Sequence, residues 1–208
     1  MIDLNHISTL IFDFGGVIVE LDKDRCVDNF KALGVADTDK FLGNFAQKGF
    51  FLRFEKGFIS ESDFRAGIRE MTSRMLTDED IDRAWCSFIV NIPKEKIELL
   101  ISLRKRYKVL MLSNTNSIHI RFCKERYFRE AGRRLEDCFD KCYFSYEMHM
   151  AKPDEEIFKA LLDDAGLLPE ECLFLDDGEQ NIETAKRLGI NSYCLKESED
   201  LCALLGYK

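Results

Sequence analysis

Short apolar runs that end in a polar residue recur along the chain and set its rhythm. Ser8 to Asp13, Lys108 to Ser113, Lys141 to Ser145, Cys172 to Asp176 and Asn191 to Leu195 are each four to six residues long. They are rich in β-branched and aromatic side chains, the pattern of strands covered on both faces. From Pro93 onward amphipathic stretches separate them. The order predicted is helix, strand at 108–113, helices through Asp137, strand at 141–145, helix from Asp154, strand at 172–176, a helix closed by Gly189, strand at 191–195 and a last helix. Such alternation predicts a parallel sheet with right-handed crossovers, an α/β fold of the doubly wound kind.

Between Asp24 and Val90 the rhythm changes. No strand-like run occurs there, and amphipathic stretches with acidic starts predict an all-helical block. DKDRCVDNFKALG closes on Gly34 and TDKFLGNFAQKG on Gly49. SESDFRAGIREM starts from a Ser60 cap and TDEDIDRAWCSFIV from Thr77, each followed by the acids that favour a helix amino end. The division expected is therefore an α/β core of residues 1–19 and 91–208, with a small helical cap of residues 20–90 inserted after the first strand. Seven of the 17 phenylalanines (Phe41, Phe45, Phe50, Phe51, Phe54, Phe58 and Phe64) crowd the middle of the block, spaced to build a small core of its own. Arg53, Glu55 and Lys56 lie among them, within reach of a bound molecule if that face overlies a cleft.

The 208 residues suffice for one core plus such an insertion, and 46% hydrophobic with 33% charged residues is the composition of a folded domain. A net charge of −8, with no concentration of Lys and Arg, argues against nucleic acid as a partner. No apolar run approaches the roughly 20 residues of a membrane span, so no membrane partner is expected. The start MIDLNHISTLIFDF lacks a signal-peptide pattern, so the expected location is cytoplasmic. The eight cysteines are scattered, without a C-x-x-C pair, as reduced packing thiols would be. The sequence specifies no oligomeric state.

The polar residues that end the strands carry the chemistry. Asp13 closes the first strand, with Gly15 and Gly16 allowing a tight turn beneath it. Ser113 and Asn114 close the second, Lys152 precedes a helix with an acidic first turn, and Asp176 with Asp177 closes the CLFLDD strand. Open α/β sheets bind ligands at these carboxyl ends. A nucleophilic carboxylate, a hydroxyl with an amide, a cation and a carboxylate pair form a set suited to phosphoryl transfer with a divalent metal.

The ordered set Asp13, Ser113, Lys152 and Asp176 with Asp177 resembles the four motifs of the haloacid dehalogenase superfamily, and the likeness spans essentially the whole chain. The FDFGGVIVELD start and the LSNTN segment followed by His119 are most similar to the branch that contains the bacterial α-D-glucose-1-phosphate phosphatase. The resemblance implies a Rossmann-like core and a Mg²⁺-dependent phosphatase of small phosphorylated metabolites, with sugar phosphates the expected class. It implies Asp13 as nucleophile and Ser113, Asn114 and Lys152 as phosphate contacts. Asp13, the Gly15 carbonyl, Asp176 and Asp177 would hold the metal.

Most phosphatases of that superfamily carry an acid/base aspartate two residues after the nucleophile, where this chain has Gly15. A sugar 1-phosphate, whose anomeric leaving group is relatively acidic, needs less protonation. Alternatively another carboxylate substitutes, with Glu20, Asp22, Glu55 and Glu179 as candidates. The competing activities are a dehalogenase using Asp13 to displace halide without Mg²⁺, and a non-catalytic sugar-phosphate sensor. His119 is expected to pack near the cleft rim, and Asn181 to anchor the loop after Asp177.

Overall fold

A computed structural model describes residues 2–35, 38–43 and 47–207, without the side chain of Phe41. Five parallel strands form the central sheet: β1 (Thr9–Phe12), β4 (Lys108–Ser113), β5 (Lys141–Phe144), β6 (Cys172–Asp176) and β7 (Asn191–Cys194), in the order β5-β4-β1-β6-β7. β1 is central, with Phe12 level with Met111 on one side and Leu175 on the other. A two-stranded antiparallel ribbon, β2 (Glu20–Leu21) with β3 (Ile89–Asn91), stands apart from it.

The two-residue period of the strands divides the core into two layers. Leu10, Phe12, Val109, Met111, Leu173 and Leu175 face one way, against α6 (Lys94–Leu103), α7 (Ser117–Cys123), α8 (Leu135–Cys138) and α12 (Leu201–Leu204). Ile11, Leu110, Leu112 and Phe174 face the other, against α10 (Glu155–Ala165) and α11 (Glu179–Arg187). The short α9 (Ser145–Met148) follows β5 directly. Each buried aliphatic side chain contributes roughly 1.5–3 kcal/mol of transfer free energy, so slipping a strand by one residue would exchange the two layers and forfeit the packing of both.

Between β2 and β3 the described residues form five helices, α1 (Lys23–Ala32), α2 (Thr38–Phe41), α3 (Gly49–Glu55), α4 (Glu61–Glu70) and α5 (Asp78–Cys86). Ser60 and Thr77 close capping boxes with Asp63 and Asp80, as the sequence pattern requires. The block has its own apolar cluster, in which Phe30, Phe51, Phe54, Phe64 and Trp85 are buried, and Ile118 of α7 joins it from the core. The core reading of its phenylalanines therefore holds for Phe51, Phe54 and Phe64, with Phe50 packed at the edge, whereas Phe58 is exposed. Phe45 and the side chain of Phe41 lie outside the described residues.

Two expectations require correction. Gly49 does not close a helix: it opens α3, with Lys48 as N-cap. A glycine of positive φ marks a chain reversal equally well before a helix as after one, and the apolar FFLRF that follows supplies the helical face. The block is also not free of strands, because β3 begins at Ile89. Strands of two and three residues are too short to leave a period in the sequence.

Candidate functional site

Asp13 continues the sheet one residue beyond β1, its N–H donating to the Leu175 carbonyl at 2.8 Å. The chain then turns back at once: Ile18 and Val19 N–H donate to the Phe14 carbonyl, and Gly16 N–H to Val19. This loop directs Asp13 Oδ1 to the Phe14 N–H at 2.6 Å. β4 brings Ser113 to the same edge, and β6 brings Asp176. The loop after α9 supplies Lys152.

Lys152 is the hub. Its Nζ lies 2.9 Å from Asp13 Oδ1 and 2.6 Å from Asp176 Oδ2, with only 3% of the residue exposed. Its backbone is clasped by Asn114, whose Oδ1 accepts from Lys152 N–H and whose Nδ2 donates to the Lys152 carbonyl, both at 2.9 Å. Asn114 thus spends its side-chain amide on positioning Lys152. Burial works against the ammonium, but Asp13 and Asp176 outweigh it and hold Lys152 above its ordinary value.

Asp176 is fully buried. Its Oδ1 accepts from Gly178 N–H at 2.7 Å and Asn181 Nδ2 at 2.8 Å, so Asn181 does anchor the loop that follows. Asp13, Asp176 and Asp177 offer carboxylate oxygens within 4.8 Å of one another. Two like charges at that spacing repel by roughly 3–4 kcal/mol at an effective dielectric near 20. Burial, and then the Asp176 charge, push the Asp177 carboxyl up to about 6. Burial also carries Asp13 well above its usual range, against the pull of Lys152. Three carboxylates facing one ammonium leave two negative charges uncompensated. A hard divalent cation with oxygen ligands fits that donor set.

The cavity above this cluster is lined on the sheet side by Asp13, Gly15, Ser113, Asn114, Lys152 and Asp177. Leu21, Gln47, Glu55, Phe88, Ile89 and His119 complete its walls. All the residues expected at the site therefore converge, Asp176 lying just beneath the cavity floor. His119 is neutral: burial lowers it to about 4, Nε2 lies 3.1 Å from the Trp85 carbonyl, and the ring stacks on Trp85 at 4.5 Å. It packs, as expected, while touching the cavity. Of the four candidate carboxylates, Glu20 and Glu179 are exposed and Asp22 caps α1. Glu55 alone enters the cavity, 5% exposed.

The family model for haloacid dehalogenase-like hydrolases matches residues 7–189. The chain belongs to that family. Among hydrolases of the family, it is 38% identical over 187 residues to the D-ribitol-5-phosphate phosphatase of Bacteroides thetaiotaomicron, covering 90% of this chain and 91% of that protein. A wild-type HAD family enzyme of the same organism, crystallised with magnesium and inorganic phosphate, superposes with a TM-score of 0.89 at 46% identity, over 95% of this chain and 98% of that one. A predicted HAD-like hydrolase of Porphyromonas gingivalis superposes with a TM-score of 0.88 at 37% identity, over 98% and 100%. No helix among the described residues is long and apolar enough to cross a membrane.

Two features escaped sequence reasoning. Ser145 fixes the α3 end of the helical block to the sheet: its Oγ lies 2.6 Å from the Glu55 carbonyl and 3.1 Å from that of Thr115, and accepts from Thr115 N–H at 2.9 Å. Leu21 places a methyl 2.9 Å from where a Cβ on Gly15 would stand, filling the space a side chain there would need. The Ser145 contacts span 30 and 90 residues and leave no local pattern, and the Leu21 contact depends on how the chain turns back after Gly15.

Proposed function

We propose that this hydrolase is a Mg²⁺-dependent phosphatase acting on small phosphorylated polyols or sugars, through an aspartyl-phosphate at Asp13. The observation that carries the reading is the Asp13–Lys152–Asp176 arrangement with Asp177 alongside. Its one buried ammonium leaves two of the three carboxylate charges unbalanced, at the carboxyl edge of the sheet. Asp13, the Gly15 carbonyl, Asp176 and Asp177 would hold the metal, whose charge would let an anionic phosphoryl group approach the Asp13 carboxylate. A dehalogenase displacing halide from carbon has no need of such a cluster.

Asp13 attacks phosphorus while Ser113 and Lys152 stabilise the charge that spreads over the equatorial oxygens. Residues 20–90 act as the cap over the phosphoryl site and 1–19 with 91–208 as the core, with Gln47, Leu21 and Phe88 left to meet the rest of the substrate. A relative that is a polyol-phosphate phosphatase, and a neighbour crystallised with magnesium and phosphate, support an open-chain or sugar phosphate as the substrate class.

The test is phosphate release from a panel of polyol and sugar phosphates, with Mg²⁺ and with EDTA, for the wild type and Asp13→Asn. Activity that EDTA and Asp13→Asn both abolish is expected. Equal rates for wild type and Asp13→Asn would refute the covalent route, and stoichiometric binding without release would make the protein a sensor.

A further inference from the structure

We propose that Glu55, reaching the cavity from the end of α3, is the catalytic proton donor and acceptor for the leaving-group oxygen. The inference rests on the phosphatase reading above and extends it to the step that Gly15 leaves without a residue.

The other groups around the cavity are already committed. Lys152 is shared between Asp13 and Asp176, and Asp13 and Asp177 belong to the carboxylate cluster. His119 is neutral, with Nε2 turned to the Trp85 carbonyl. Gln47, Asn114, Thr115 and Ser113 carry only amides and hydroxyls, which are too weakly acidic to transfer a proton near neutral pH. Leu21 occupies the space beside Gly15.

Glu55 differs in three respects. It is buried and lines the same cavity as Asp13, Ser113 and Lys152, and among the described residues it is the one carboxylate there outside the Asp13–Asp176–Asp177 cluster. It is the last residue of α3, at the helix end where unpaired carbonyls disfavour a negative charge. Its backbone is pinned by the core. Ser145 Oγ lies 2.6 Å from its carbonyl, and His149 Nδ1 lies 3.0 Å from the Lys56 carbonyl. Lys56 Nζ pairs with Asp154 at 3.0 Å. A Cβ on Gly57 would fall 2.1 Å from the Tyr146 carbonyl oxygen, so the two backbones meet without room for a side chain. Burial pushes the Glu55 carboxyl up to about 8, with the Lys152 charge pulling the other way, which leaves it protonated at neutral pH.

The proton balance closes over one turnover. As an Asp13 oxygen bonds to phosphorus, the bond to the alkoxide oxygen breaks and that oxygen takes the Glu55 proton, leaving as an alcohol. The Glu55 carboxylate then accepts a proton from water as the water oxygen bonds to phosphorus and the Asp13 ester breaks. Phosphate, free Asp13 and protonated Glu55 result.

The experiment compares wild type and Glu55→Gln on phosphate esters graded from p-nitrophenol to primary alcohols, with Mg²⁺ present. Glu55→Gln is expected to lose about 10²–10⁴-fold in kcat on primary-alcohol esters. On p-nitrophenyl phosphate, whose leaving group needs no proton, the first step survives and a burst of one nitrophenolate per enzyme precedes a slow steady state. Glu55→Asp is expected to recover part of the alkyl-ester rate, and it serves as the test if the glutamine variant does not fold. A uniform loss across all esters with no nitrophenolate burst, or a change in KM alone, would overturn the proposal while leaving the phosphatase reading intact. Absence of phosphate release by the wild type would overturn both.

Discussion

Gly16 lies directly beneath the Asp177 carboxylate, so that a Cβ on Gly16 would fall 1.9 Å from Asp177 Oδ2. The glycine also has φ +74°, a conformation that costs other residues about 1–2 kcal/mol. Gly16→Ala is therefore expected to displace the Asp177 carboxylate. In thermal melts the wild type should gain about 2.7 kcal/mol when Mg²⁺ is at 100 times its Kd. Gly16→Ala should need markedly more Mg²⁺ for the same gain, and an unchanged Mg²⁺ dependence would count against Asp177 as a ligand.

Lys152→Ala removes the one cation between Asp13 and Asp176. Activity is expected to fall about 10²–10³-fold. Urea unfolding in EDTA should show a loss of about 3–5 kcal/mol, because two buried carboxylates are left facing each other. Mg²⁺ should return part of that stability, since it supplies positive charge at the same place.

Glu55 also predicts a pH dependence of stability. Its carboxyl is raised in the folded protein to about 8 from an ordinary value of 4.5, so the folded state holds a proton that the unfolded chain releases. This contribution is complete below about pH 4.5 and is lost as the pH rises toward 8. Glu55→Gln should flatten that decline in denaturation curves collected across the interval. An identical slope for the two proteins would show that the side chain carries no shifted proton.

Trp85 joins the helical block to the core, stacked on His119 and donating through Nε1 to Asn116 Oδ1 at 3.2 Å. It is fully buried, and Trp85→Ala is expected to cost about 3–5 kcal/mol. Trp85→Phe keeps most of the apolar volume but not the indole donor, and should cost about 1–2 kcal/mol by denaturant titration.

The sheet and the edge where the candidate residues gather were legible because both follow from one signal. The apolar stretches of runs such as KVLMLS and CLFLD are buried on both faces, and the polar residues that end them, Ser113 and Asp176, stand where a parallel sheet opens to a ligand. The capping boxes at Ser60 and Thr77 were equally plain, being complete within four residues. The start of α3 was not, since a glycine is ambiguous between helix end and helix start. Glu55 could be nominated but not singled out, because its burial depends on Ser145, Tyr146 and Asp154, about 90 to 99 residues away along the chain. A separation of 38 residues likewise hid the Asn114 clasp on Lys152, where a residue expected to meet phosphate proved also to hold its neighbour.

The Ser145 hydroxyl sits at a junction, touching Thr115 in the loop beyond Ser113 and the carbonyl of Glu55. Lifting Glu55 would break one bond of that junction and leave the other in place. The loop beyond Ser113 and the end of α3 are thus joined through a single oxygen atom, so the helical block cannot part from the sheet at Glu55 without changing what holds that loop.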